Sequence, residues 1–363
     1  MIFVRPIAIF AIFLSLNSIS RAQGIDSAWH FKSSSTSSIA AAVSDNHGNL
    51  FVAGFFQDSL WLNDQNILTG QFSSPTLFVS SFDSHGKLRW AKSIFTNVQT
   101  RVRMETDDSG NLYLGALCYR NAYLDRKNLK DQIYTGSGPQ AFILKMNSEG
   151  DNKWFVNTVG NTGQSKVDFL DFTLSKNNEL LWMVTGMGDL SFTSSTNLNA
   201  GPFNLGDKLV NRPGVLVIRN KLPLNRPFNF IAKFSDPNGL ISGYSIVERE
   251  GKIVFSGDYY GPIDMDPGTG TKNLSGSGGY YCCVDTAMQF QWVRKSTLEQ
   301  VVRMKVNSFN QIKAFGYESG IGSSSLDIGS LGFDGKIHFE NRSSFTKTGT
   351  YISDVDADRA GNV

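Results

Sequence analysis

The chain has 363 residues, 40% of them hydrophobic and 18% charged, with a formal net charge of +2. That is ample apolar material for one large domain or two ordinary ones, which excludes a disordered chain. No block of five or more like charges occurs, which excludes a nucleic-acid footprint and a polybasic membrane patch.

The first 22 residues combine Arg5, the apolar run IAIFAIFLSL at 7–16, and the small residues Ser20 and Ala22 on either side of Arg21. This is the pattern of a secretory signal peptide. No later stretch reaches the roughly 18 consecutive apolar residues of a helical span, so residues 23–363 are expected to be exported, without a membrane span, as a secreted or cell-surface monomer. The segment SAWHFKS around Trp29 reads as an orphan outer strand.

From residue 39 the chain reads as short strands: IAAAVSD (39–45), NLFVAGFF (49–56), TLFVSSFD (76–83) and LRWAKSI (88–94). The template then returns. Its marker falls at Gly48, Gly110, Asn178, Gly251, Asn310 and Gly361, spaced by 62, 68, 73, 59 and 51 residues. A second signature lies between the markers, as FVSSFDSHGKLRW (78–90), FILKMNSEGDNKW (142–154), FIAKFSDPNGL (230–240) and YCCVDTAMQFQW (281–292), with a worn copy, GSLGFDGKIHF, at 329–339. Both signatures set an Asp or Asn three residues before a Gly: Asp45/Gly48, Asp83/Gly86, Asp107/Gly110, Asn147/Gly150, Asp236/Gly239 and Asp358/Gly361. The acidic or amide oxygen can accept backbone N–H groups inside a turn, and the Gly supplies a positive φ that closes a hairpin.

Two hairpins per repeat, with no 3.6-residue period, predict an all-β fold. The expected architecture is a β-propeller of four-stranded antiparallel blades, with five full repeats and a partial sixth. A sandwich is the alternative, but one sandwich would not reuse a single template five times. The sixth unit begins near His338 and stops inside its motif at Val363, which implies an incomplete ring and a C-terminally truncated chain. Trp90, Trp154 and Trp292, with Phe339 in the worn copy, occupy one position of the second hairpin. They are expected to wedge between neighbouring sheets, with a carbohydrate platform as the rival reading. The stretch of about 201–226 reads as an insertion on one rim, where binding commonly evolves.

Candidate chemistry is sparse. His30, His47, His85 and His338 are scattered, and no zinc, nucleophile-elbow or phosphate-loop motif is present. Asp264 and Asp266 of DMDPGTG are the metal candidates, a calcium site by their hard oxygens, and Asp354, Asp356 and Asp358 form a second acidic cluster. Against both, two or three carboxylates fall short of the 6 to 8 oxygens that calcium takes, and Asp358 is a turn residue of the repeat. No catalytic residue and no other cofactor is indicated. Cys118, Cys282 and Cys283 encode no disulfide framework, and adjacent Cys282 and Cys283 point to opposite faces of a strand.

Taken together, TDDSGNLYLGAL (106–117), IDMDPGTGTKNLSGSGGYY (263–281) and the DxxGxxxW spacing of Asp83 to Trp90 resemble the SBBP repeat of bacterial seven-bladed β-propellers, over roughly residues 29–363. Units three and five depart from it, by the missing Trp and by His338–Phe339. The resemblance implies an exported bacterial propeller and transfers no catalytic residues. A non-catalytic scaffold that binds protein or glycan through rim loops is the expected function. The alternatives are a propeller enzyme, lyase or glycoside hydrolase, and an adhesion spacer.

Overall fold

The structure, a computed structural model, describes residues 31–345 apart from 63–65, 71–73, 97–100, 124–131, 161–164, 196–199, 206–212, 223–229, 299, 308 and 321–322. The signal-peptide stretch, Trp29, His30 and the 354–361 motif lie outside the described residues. Every regular element among the described residues is a β-strand.

β1 (Phe31–Ser33) leads into β2 (Ser37–Ser44) and β3 (Leu50–Phe56), then into a ribbon of β4 (Ser59–Leu62) and β5 (Asn66–Thr69), then into β6 (Thr76–Phe82) and β7 (Leu88–Ile94). Sheet I orders these as β2-β3-β6-β7, while β1 pairs with β4. Sheet II runs β8 (Arg103–Thr106), β9 (Leu112–Tyr123), β10 (Gln132–Met146) and β11 (Asn152–Gly160). Sheet III comprises β12 (Lys166–Leu174), β13 (Glu179–Ser194), β15 (Gly214–Lys221) and β16 (Phe230–Phe234), and β14 (Ala200–Leu205) pairs with the far half of β13. β13 is long enough to serve twice: residues 179–187 lie between β12 and β15, and residues 190–194 pair with β11. Sheet IV runs β17 (Leu240–Arg249), β18 (Lys252–Tyr260), β21 (Ser277–Asp285) and β22 (Phe290–Lys295), with a small ribbon of β19 (Ile263–Asp264) and β20 (Asn273–Leu274) between its second and third strands. Sheet V runs β23 (Val301–Val306), β24 (Gln311–Gly320), β25 (Ser323–Gly332) and β26 (Ile337–Phe345).

The chain falls into two compact units, one from Met1–Leu114, Asn121–Ile133 and Lys145–Lys153, the other from Gly115–Arg120, Tyr134–Leu144 and Trp154–Val363. In the first, β2 lies beside β8; in the second, β12 lies beside β17 and β17 beside β23. First strands are therefore neighbours between sheets I and II, III and IV, and IV and V. The middle strands β3 and β6 are buried at every position, which is why LFVAGFF and TLFVSSF lack strict polar alternation. Between sheets III and IV the core holds Met183, Val217, Phe234, Phe255, Tyr280 and Cys282; between IV and V it holds Val254, Tyr281, Cys283, Met304 and Leu331. Cys282 and Cys283 thus face opposite sides of β21, as alternation requires, and the three cysteines are buried and outside any disulfide.

The turn device is a backbone ladder around one side-chain oxygen. Asp45 Oδ1 accepts the N–H of His47 (2.9 Å) and Asn49 (2.8 Å), and Asp107 Oδ1 accepts those of Ser109 (3.1 Å) and Asn111 (2.9 Å). Asp83 and Asn147 act alike. The same ladder forms at Ser175, Asp285 and Asn307, where no Gly follows at the third position. There Asn178, Met288 and Asn310 carry the positive φ, at 59°, 60° and 58°. Asp236/Gly239 departs from the expectation. Gly239 is absent from the positive-φ set, and the segment links β16 to β17, so it joins sheet III to sheet IV and closes no hairpin. The stretch 201–226, expected as a rim insertion, contains β15, the third strand of sheet III; in GVLVIRNK the first five residues and Asn220 are buried, between β13 and β16. FIAKF is accordingly a fourth strand, which explains why no Trp follows Gly239. SAWHFKS was expected as an outer strand, but its described part, Phe31–Ser33, pairs with the β4 ribbon.

The repeated Trp has a defined task. Trp90 donates its indole N–H to the Ser148 carbonyl (2.8 Å), in the β10–β11 turn of the next sheet, and a Cβ on Gly150 would lie 2.8 Å from Trp90 Cδ2. Trp292 repeats this on sheet V, donating to the Phe333 carbonyl (3.0 Å) with its ring 2.7 Å from a Cβ on Gly335. Both glycines also have positive φ, 85° and 79°. Sheet III has no such Trp. Instead Arg219 on β15, held by Glu179 (2.6 and 2.8 Å), donates to the Thr286 carbonyl at the matching turn position of sheet IV. Where no ring lies on the turn a side chain fits, and Met288 fills the place of Gly150 and Gly335, buried in the core.

Gly150→Ala is expected to cost more than about 1 kcal/mol, through the positive φ and the indole contact together. In a Trp90→Ala background the penalty should shrink by about 0.5 kcal/mol or more, as read from a double-mutant cycle of urea unfolding; equal penalties in both backgrounds would remove the proposed contact.

Candidate functional site

The two ends of each sheet are built differently. At one end, the ladders just described join strands one to two and three to four within four or five residues in sheets I, II and V, whereas in sheet IV β17 turns into β18 through residues 250–251 and in sheet III residues 222–229 connect β15 to β16. At the other lie the second-to-third strand connections, 57–75 in sheet I, 195–213 after β13 in sheet III and 261–276 in sheet IV, while in sheet V that connection is residues 321–322. Short ladders leave no room for ligand recognition, whereas long connections on a fixed frame do.

At the loop end of sheet IV, neighbouring positions gather polar groups. Ser242 pairs with Asp258, Leu240 with Tyr260, and β21 places Gly279 and Ser277 alongside. Residues two apart on a strand share a face, so Asp258 and Tyr260 project from the same side of β18. A bulge between Gly243 and Ser245 inserts Tyr244, and its hydroxyl donates to Asp258 Oδ2 (3.0 Å). Gln300, just before β23, donates its amide N–H to the same oxygen (3.3 Å). Burial raises the Asp258 pKa above the ordinary carboxylate range, against the lowering effect of the Tyr244 and Ser242 hydroxyls. Tyr244 is held edge-on by Phe169 at a centroid distance of 5.1 Å. Tyr259 is buried, while Tyr260 is 68% exposed.

Deeper on the same first strands, a second network ties sheets III, IV and V. Asp171 on β12 accepts Ser245 Oγ (2.9 Å) and the Ile246 N–H (2.9 Å) from β17 at Oδ2, and Arg303 Nη1 from β23 (3.1 Å) at Oδ1. Ser245 Oγ in turn accepts the Met304 N–H (2.9 Å). Asp171 and Arg303 are buried. These groups hydrogen-bond one another across three strands and so fix their register.

Asp264 and Asp266 are used locally. Asp264 Oδ1 accepts the N–H of Asp266 (3.0 Å) and Lys272 (2.8 Å), closing the β19–β20 ribbon, and Asp266 Oδ1 accepts the Gly268 N–H (2.8 Å). Among the described residues no group of three or more His, Cys, Asp or Glu side chains is placed to hold a metal. His47 and His85 sit in turns, each donating its backbone N–H to the turn aspartate. Cys282 and Cys283 have thiol pKa values raised by burial, that of Cys283 to about 12, which makes them inert packing groups. The Asp258–Tyr244–Gln300 contact escaped sequence reading because its members come from 244, 258 and 300. Its one local signal is SGDYYGP at 256–262, an acid and a Tyr pair at a strand end.

No protein-family model matches the chain, and no curated protein sequence matches it. Among solved structures it is similar to the crystal structure of polysaccharide lyase Uly1, at 8% identity and a TM-score of 0.37 over 86% of this chain and 82% of that one. A likeness of this depth carries neither fold nor chemistry from one chain to the other.

Two tests follow from the charges. The raised Asp258 pKa means that folding favours its protonated form. Its contribution is complete below the unfolded carboxylate pKa and declines as pH rises through the folded value. Asp258→Asn should therefore gain stability relative to wild type between pH 4 and 7, measured by urea unfolding; a pH-independent difference would contradict the shift. Asp171→Ala strands the Arg303 charge among buried groups and should cost about 3 kcal/mol or more, read from the same unfolding curves.

Proposed function

We propose that the chain is an exported β-propeller, of the kind the SBBP-like repeats imply, that serves as a non-catalytic scaffold and binds a glycan or protein at its loop end. Three four-stranded meanders and a nine-stranded sheet that joins two more through β11 and β13, with neighbouring first strands and locking residues between I and II, III and IV, and IV and V, support the propeller reading. The observation that carries the functional reading is found in sheets I and IV, where the second-to-third connection, 57–75 or 261–276, is long and the connections at the opposite end take two to five residues. Such an arrangement lets one end vary while the other preserves the fold.

An enzyme remains the second reading, favoured by the raised pKa of Asp258 beside the Tyr244 hydroxyl. It is the weaker one. Glycoside hydrolysis uses two carboxyl groups about 5 to 9.5 Å apart, and the side chains hydrogen-bonded to Asp258 Oδ2 are a phenol and an amide.

Incubating the full chain with a panel of polysaccharides and surface proteins separates the two. The scaffold reading expects saturable binding with no reducing-end or unsaturated product. Replacing the ribbon tip 267–271, which leaves the buried Ile263, Met265 and Leu274 in place, by a two-residue turn is expected to weaken binding about tenfold or more while the far-ultraviolet spectrum stays unchanged. Product release that scales with protein concentration would overturn it.

A further inference from the structure

Tyr260 is the large side chain whose exposure the packing explains least. It stands on β18, an interior strand with partners on both sides, yet 68% of it is in solvent. The reason lies in its neighbours. Ser277 opposite it on β21 is small, and Gly278 beside Ser277 has open space where a side chain would be. The backbone under the ring is held on both flanks: Leu240 pairs from β17, and Gly261 donates its N–H to the Gly276 carbonyl (2.7 Å). The ring is thus displayed by a rigid frame and owes nothing to a mobile loop tip.

The same face offers hydrogen-bonding groups one register step away. Asp258 lies two residues before Tyr260, about 7 Å along the strand, which is near the width of a pyranose ring. Its carboxyl is oriented by Tyr244 and Gln300, and Ser242 stands opposite on β17. An aromatic face beside a fixed carboxyl, amide and hydroxyls suits a ligand that has an apolar face and an edge of vicinal hydroxyls. Cationic ligands would want an aromatic cage, and the cations of the neighbouring β22 are directed to backbone carbonyls, Lys295 Nζ to Ser275 and Arg294 Nη1 to Val293.

We infer that Tyr260, Asp258, Tyr244 and Gln300 form a subsite for a neutral hexose unit of a glycan, with Tyr260 as the stacking platform and Asp258 as the hydroxyl acceptor. This rests on the loop-end binding reading and names its ligand class. Preorganisation limits the ordering cost on binding, so removal of the platform should have a large effect.

The test uses the full chain and a panel of neutral and uronate-containing oligosaccharides, with affinity read by calorimetry and turnover by product release. Expected is binding of a neutral oligosaccharide that Tyr260→Ala weakens by about tenfold or more, that Tyr260→Phe largely keeps, and that Asp258→Asn weakens without altering the stacking partner. Phe309→Ala, at an equally exposed aromatic in a ladder turn, should leave binding unchanged. Binding that survives Tyr260→Ala overturns the subsite and leaves the loop-end scaffold standing, as does a chain that binds a protein partner and no neutral glycan. Cleavage of a glycan whose binding still requires Tyr260 overturns the non-catalytic scaffold and leaves the subsite in place.

Discussion

A four-stranded meander whose two middle strands are apolar on both faces cannot stand alone in water. β3 and β6 are buried along their full length, and exposing either face would forfeit roughly 25 cal/mol for each Å² uncovered. Each such sheet therefore needs a neighbour on both sides. From this need come the repetition of the template, the side-by-side first strands and the residues that set one sheet on the next. It also accounts for the low charge content, because a chain made of doubly covered sheets has little surface left to charge.

The locks between sheets show how one requirement constrains several residue types together. Trp90 and Trp292 hydrogen-bond a turn carbonyl and lie flat on the glycine two residues beyond it. The turn demands positive φ there, and the indole demands the absence of Cβ. Sheet III meets the same carbonyl with the guanidinium of Arg219, braced by Glu179. With no ring above it, the sheet IV turn then tolerates Met288 at positive φ and gains a buried thioether in return. The irregular third and fourth units are thus a compensated variant of the regular ones.

Polar groups in this molecule divide by depth. Asp171, Ser245 and Arg303 are buried and hydrogen-bonded in one network across three first strands. Such a network specifies register, because a slip by one residue would strand a charge. Asp258 and Tyr244, on the same sheets toward the loop end, are oriented but partly open, and Tyr260 beyond them is mostly in solvent. Order beneath and exposure above is the combination a binding surface needs.

Local chemistry was legible in the residues themselves. An Asp or Asn oxygen reaches only its own next few N–H groups, so the ladders at Asp45, Asp83, Asp107 and Asn147 could be read from spacing alone, and with them the all-β class and the template of four strands. The opposite faces of Cys282 and Cys283 followed from alternation by the same short-range logic. Ladders at Ser175, Asp285 and Asn307 were harder to see, because Asn and Met there replace the Gly that usually marks positive φ. β15 was hidden within a stretch read as insertion, since the short apolar run VLVI has the same pattern inside a sheet as in a rim hairpin. Asp171 with Arg303, Arg219 with Thr286, and Asp258 with Tyr244 and Gln300 were decided by tertiary structure only. Their partners lie 14 to 132 residues apart, and no period or motif ties a carboxylate to a distant cation or phenol until the sheets stack and bring the strands together.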